Sequence, residues 1–103
     1  MLGCLALLLV VSGAPSPEER LWQHRNLGKA FYENPATQVQ AIEEFRKALE
    51  LAPTSARERL NYGLALLRGG KVDEGIAELE KVQQADPELP HTWFNLGIAS
   101  KQR

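Results

Sequence analysis

Cysteine is almost absent from this chain of 103 residues: Cys4 stands alone, so no internal disulfide can form. That usage fits a reducing compartment, or an exported protein that needs no bridges. An excess of either charge is also absent, with 12 lysines and arginines against 13 acids and a net charge of −1. Phosphate binding needs a concentrated positive face and an anionic membrane surface needs a polybasic stretch, so neither nucleic acid nor a charged membrane is expected as a partner. No apolar run reaches the roughly 20 residues that cross a bilayer core.

Chemistry-bearing patterns are missing as well. There is no H-E-x-x-H, C-x-x-C, Walker-type glycine loop or G-x-S-x-G. Of the two histidines, His24 stands where a large packing residue is wanted, and His91 opens a helix in a solvated position. Cys4 belongs to the leading apolar segment. The carboxylates Glu43, Glu44, Asp73, Glu74, Glu78 and Glu80 alternate with lysines and arginines, the pattern of a solvated, ion-paired helix surface. No catalytic residue, cofactor or metal ligand set is expected. The chain reads as a non-enzyme.

What is present begins with Met1 to Val11, MLGCLALLLVV, followed by the small residues Ser12-Gly13-Ala14. An apolar core and then a small-residue zone is the order of a secretory signal, so residues 1–14 are expected to be a signal peptide or an N-terminal apolar segment. Export to the periplasm or the medium follows from that reading, with membrane anchorage if the segment stays uncleaved. The alternative is an apolar terminal helix and a cytoplasmic chain.

The remainder repeats. Asn26-Leu27-Gly28-Lys29-Ala30 returns as Asn61-Tyr62-Gly63-Leu64-Ala65 and as Asn95-Leu96-Gly97-Ile98-Ala99, with glycine spacings of 35 and 34 residues. A second block, Ala41 to Ala48, returns in phase as Gly75 to Val82, and Pro53 as Pro87. The extra residue of the first unit falls in the turn Asn34-Pro35-Ala36-Thr37, where insertions are tolerated. Each unit reads as two helices, because apolar residues recur at three and four, not two. Ser16-Pro17-Glu18-Glu19 starts the first, which runs to about Glu33. Asn34-Pro35 starts the second, which ends near Ala52. Ser55 caps the third, with Glu58 completing a capping box, and Gly69-Gly70 stops it. The fourth covers about Val72 to Ala85. Asp86-Pro87 breaks it, and a fifth begins near Leu89 or Pro90.

These units resemble the tetratricopeptide repeat, whose signature is W-x₂-L-G-x₂-Y followed by Ala, Phe and a closing Pro. Trp93-Phe94-Asn95-Leu96-Gly97 matches the opening, and Leu27-Gly28-Lys29-Ala30-Phe31 matches with His24 in the tryptophan place. Tyr62-Gly63 matches with Arg59 there. Ala41, Phe45, Ala48 and Pro53 complete the first unit, and Gly75, Leu79, Val82 and Pro87 the second. The resemblance implies an all-α fold, a right-handed α-solenoid of antiparallel helix pairs with about five helices after the N-terminal segment. Residues 18–54 and 55–88 would be full repeats, and 89–103 the first helix of a truncated third or a capping helix. The phrase from Leu21 to Ala99 further resembles the amino-terminal arrays of some exported bacterial proteins.

By the same resemblance, the first helices line a concave face that binds a protein segment. The positions on that face are Arg25, Lys29 and Tyr32, then Leu60, Asn61, Leu64 and Arg68, then His91, Phe94, Asn95 and Ile98. The mixture is basic at one end and apolar toward the other, and an acidic segment followed by apolar side chains complements it. Some members grip a C-terminal carboxylate with lysine, asparagine and arginine. Asn61 matches that set and Arg25 replaces a lysine, but Lys29, His91 and Asn95 stand where asparagine, lysine and arginine are needed. The open C-terminal end offers a second expectation, self-association. A third is that the chain is an N-terminal accessory part of a larger exported protein.

Overall fold

The computed structural model describes residues 13–88. Four α-helices lie in this range: α1 (Pro17–Tyr32), α2 (Gln38–Leu51), α3 (Ala56–Arg68) and α4 (Val72–Ala85). No strand occurs among the described residues. Short links make α1 with α2, and α3 with α4, into hairpins, and α2 packs on α3 to join them. The result is an all-helical, tetratricopeptide-like stack. The leading apolar segment, the expected fifth helix, and His91, Phe94, Asn95 and Ile98 lie outside the described residues.

Local signals set the helix ends. Ser16 caps α1, its Oγ accepting from the Glu19 amide at 3.1 Å, with Pro17 at the first turn. The second helix starts later than the Asn34-Pro35 signal predicts. Asn34 caps a short 3₁₀ turn, Pro35–Thr37, and α2 proper begins at Gln38. This turn holds the extra residue, and it satisfies the end of α1: Thr37 Oγ1 donates to the Phe31 carbonyl at 2.7 Å, and Gln38 Nε2 donates to that of Tyr32 at 3.0 Å. At the end of α3 the Lys71 amide reaches the Leu66 carbonyl (2.8 Å) and the Gly70 amide that of Leu67 (3.1 Å). Gly70 takes φ +84°, the left-handed conformation this Schellman closure requires.

The capping box expected at Ser55 forms only in half. Ser55 Oγ accepts from the Glu58 amide at 3.3 Å, but the Glu58 side chain does not return to the Ser55 amide. That amide donates to the Ala52 carbonyl at 3.0 Å. The Glu58 carboxylate is directed inward and engaged by Arg25.

Among the described residues the core consists of Ala41, Phe45 and Ala48 from α2, Ala65 and Leu66 from α3, and Ile76, Leu79 and Val82 from α4. Among the described residues of α1 only Gly28 is buried. A Cβ on Gly28 would lie 2.6 Å from two carbons of the Phe45 ring, so the glycine makes room for an aromatic side chain rather than for backbone. Backbones approach one another at Gly75, whose added Cβ would sit 3.0 Å from the Gly63 carbonyl oxygen. Ala30 is exposed, whereas its equivalent Ala65 is 0% exposed. The difference is α2, which covers α3 but has no counterpart on α1 among the described residues.

Candidate functional site

Two polar pairs repeat with the units. His24 Nδ1 lies 2.9 Å from Glu44 Oε2, joining α1 to α2. Arg59 Nη1 donates to Glu78 Oε2 at 2.6 Å, joining α3 to α4, and its Nη2 donates to the Pro53 carbonyl at 3.2 Å. His24 and Arg59 occupy the signature's tryptophan place, and Glu44 and Glu78 are equivalent in the second block. Each hairpin thus places a nitrogen-bearing side chain, held against a half-buried glutamate, where the signature has tryptophan.

A third pair joins the units. Arg25 on α1 donates from Nε to both carboxylate oxygens of Glu58 on α3, at 3.1 Å each, and from Nη2 to Oε2. Glu58 is 1% exposed, a carboxylate that folding can only bury if it is paired. The hydrogen bonds to Glu58 raise the Arg25 pKa further above its already high ordinary value, against the opposing effect of burial. Farther along, the Arg68 guanidinium carbon sits 4.7 Å from the centroid of the Tyr32 ring, within cation–π range. The parallel helices α1 and α3 are therefore bridged twice, at Arg25–Glu58 and at Tyr32–Arg68.

Between the two bridges lies a pocket of about 110 Å³, lined by Lys29 and Tyr32 from α1 and Glu33 at its C-cap, Phe45 from α2, and Asn61 and Leu64 from α3. Four of the expected site residues, Lys29, Tyr32, Asn61 and Leu64, meet here, and Arg68 flanks them. Leu60 is half-buried and does not line the pocket. Arg25 is bound to Glu58 and closes one end. That arrangement removes one cation from any set gripping a terminal carboxylate.

The sequence reading missed part of this groove. Seven residues on a helix return to nearly the same face, so Trp22, Asn26, Lys29 and Glu33 form a stripe on α1, matched by Arg57, Asn61, Leu64 and Arg68 on α3. Trp22 is 63% exposed, high for so large an apolar ring. Its spacing from Lys29 was the available signal. The floor residue Phe45 enters the sequence pattern only as part of the repeat signature.

The outer surface is tied up in its own charges. Arg46 binds Glu43 and Glu50, and Lys81 pairs with Glu78 at 3.2 Å. The Arg46 hydrogen bond lowers the Glu43 pKa and, reciprocally, raises that of Arg46. Burial, with nearby Glu78 and Glu74, raises the Tyr62 phenol. Among the described residues there is no group of three or more histidines, cysteines or acids placed to hold a metal, and no helix long and apolar enough to cross a membrane.

No family model matches the chain. Two proteins of Arabidopsis thaliana, both uncharacterized TPR repeat-containing proteins, are each 34% identical to it over 95 residues, covering 84% of this chain. The chain spans 12% of the length of each of these curated relatives. They support a tetratricopeptide-like family. Both are plant proteins, so kinship with exported bacterial arrays rests on the sequence phrase alone.

Proposed function

We propose that this chain is a tetratricopeptide-type interaction module that binds a segment of another protein in the groove between α1 and α3, without chemistry of its own. The single observation behind this reading is the pocket between the Arg25–Glu58 and Tyr32–Arg68 bridges. Both bridges hold α1 and α3 apart at a fixed spacing, so the cleft exists before a ligand arrives and binding need not organise it. The TPR repeats named in the two relatives agree with a protein partner.

The test is amide chemical-shift mapping with peptides selected from a random display library on the immobilised chain. Shifts should concentrate at Lys29, Tyr32, Asn61 and Leu64. Shifts confined to the outer residues Glu43, Lys47, Glu80 and Lys81 would remove the groove from consideration.

A second reading is favoured by the 12% share of the relatives that the chain spans. In it, the two hairpins are an accessory portion of a larger protein whose main activity lies elsewhere. In-frame repeats continuing beyond Arg103 in the genomic DNA would support it, and a stop codon there would exclude it. Export of the chain, with residues 1–14 as signal, is proposed on sequence grounds alone. Mass spectrometry of the mature N-terminus tests it, since a chain beginning at Met1 in the cytoplasm would contradict export.

A further inference from the structure

The groove differs in charge from the rest of the molecule. Its two stripes carry Lys29, Arg57 and Arg68 against the single carboxylate Glu33, three cations to one anion in a chain whose net charge is −1. Among the described residues, none of these three cations has a carboxylate partner. Of the other described arginines and lysines, Arg25, Arg46, Lys47, Arg59 and Lys81 are paired with carboxylates, while Arg20 and Lys71 stand exposed away from the groove. Exposed cations without carboxylate partners beside a preformed cleft, Arg68 still stacked on Tyr32, leave a potential that an acidic ligand satisfies.

The pocket itself is apolar at its floor and walls, through Tyr32, Phe45 and Leu64. A dry cavity of roughly 150 Å³ lined by leucine, isoleucine and phenylalanine holds one benzene ring. The present pocket, at about 110 Å³, fits a smaller group, the size of a branched aliphatic side chain. Distances along α3 set the rest. Arg57 precedes Leu64 by seven residues and Arg68 follows it by four, which at 1.5 Å per residue is about 10 Å and about 6 Å. An extended peptide, at about 3.3 Å per residue, covers those intervals in three residues and two. Arg25, which a terminal carboxylate would need, is held by Glu58.

We propose that the groove recognises an internal, extended acidic segment with one branched aliphatic residue. The aliphatic group fills the Tyr32–Phe45–Leu64 pocket, and carboxylates on either side meet Arg57, Lys29 and Arg68. This inference rests on the groove being the binding face. Trp22, on the same face of α1 as Lys29, borders the path of the bound segment.

The probe is the doubly blocked peptide acetyl-Glu-Glu-Glu-Leu-Glu-Glu-amide, titrated into the full chain by calorimetry and followed by amide shifts. It should bind at Lys29, Asn61 and Leu64 and weaken as salt is raised. Replacing its leucine by glycine should weaken binding at least about tenfold. Lys29→Glu and Arg68→Glu, each checked for an unchanged helical spectrum, should each weaken it by about tenfold as well. A lysine version of the peptide that binds the same residues equally well would overturn the acidic specificity while leaving the groove as the site. Binding that requires a free C-terminus would overturn the internal mode. If no version binds at the groove, this proposal falls; if library-selected peptides map only to the outer faces, the groove reading falls with it.

Discussion

Glu58 carries the largest electrostatic consequence of any residue in the fold. A carboxylate 1% exposed has left water, and among the described residues Arg25 is the side chain that compensates it. Arg25→Met leaves that charge buried and unpaired, and should destabilise the chain by about 3–5 kcal/mol in urea unfolding. The double variant Arg25→Met/Glu58→Leu should recover most of the loss, since well-packed apolar pairs often equal a buried ion pair. A double variant as unstable as the single one would show that the pair supplies more than its own neutralisation. Gly28 poses a steric question. Alanine there improves helix propensity by about 1 kcal/mol but drives a methyl into a buried Phe45 ring, an overpacking of about 1–3 kcal/mol. The net expectation is a loss of about 1 kcal/mol, reversed in a Phe45→Leu background where the ring is gone. Equal losses in both backgrounds would mean that Phe45 is not what excludes the methyl.

At the scale of elements, turn chemistry and surface pairs divide the work. The α3–α4 link depends on Gly70 at φ +84°. Gly70→Ala has open space for its methyl but not the conformation, so a loss of about 1 kcal/mol is expected from strain alone. Asparagine there should lose less than alanine, a ranking that thermal melts can read. Along the outer face of α2, the Arg46 hydrogen bond lowers the Glu43 pKa in the folded chain. A lowered folded pKa gives stability that is present above the unfolded carboxylate value and disappears as pH falls through the folded one. Glu43 is half exposed, so this contribution stays below about 1 kcal/mol. Glu43→Gln should flatten the acid limb of the stability curve slightly and leave neutral stability nearly unchanged. A steeper acid limb would contradict the assignment.

At the scale of the molecule, the described residues form a stack in which each hairpin leans only on its neighbour. Among the described residues two hairpins give a modest core, drawn from α2, α3 and α4, with α1 contributing little. Marginal stability follows, and a melting temperature well below about 90 °C is expected for the full chain. Leu27, 45% exposed, is the signature leucine of the first unit. Its exposure on α1 has the same origin as that of Ala30, the lack of a stacked helix among the described residues. If such faces drive self-association, light scattering should give a mass that rises with concentration; a constant monomer mass would dispose of the assembly reading.

Helix number and position among residues 13–88 were written in the sequence, because the signals are local. Ser16, Ser55, Gly69-Gly70 and Asp86-Pro87 act on the backbone within a turn of themselves, and the 35-residue interval from Gly28 to Gly63 already pairs the helices. The delayed start of α2 escaped, since Asn34-Pro35 opens a 3₁₀ turn as readily as an α-helix. Four of the expected groove residues were legible from their repeat positions, but the use of Arg25 was not. Glu58 lies 33 residues away, and its choice between closing its own cap and meeting Arg25 depends on how closely α1 and α3 are laid side by side. Only the packed structure decides that spacing, and with it the pocket floored by Phe45. Burial, not local sequence, turned a capping glutamate into the partner of an arginine on another helix.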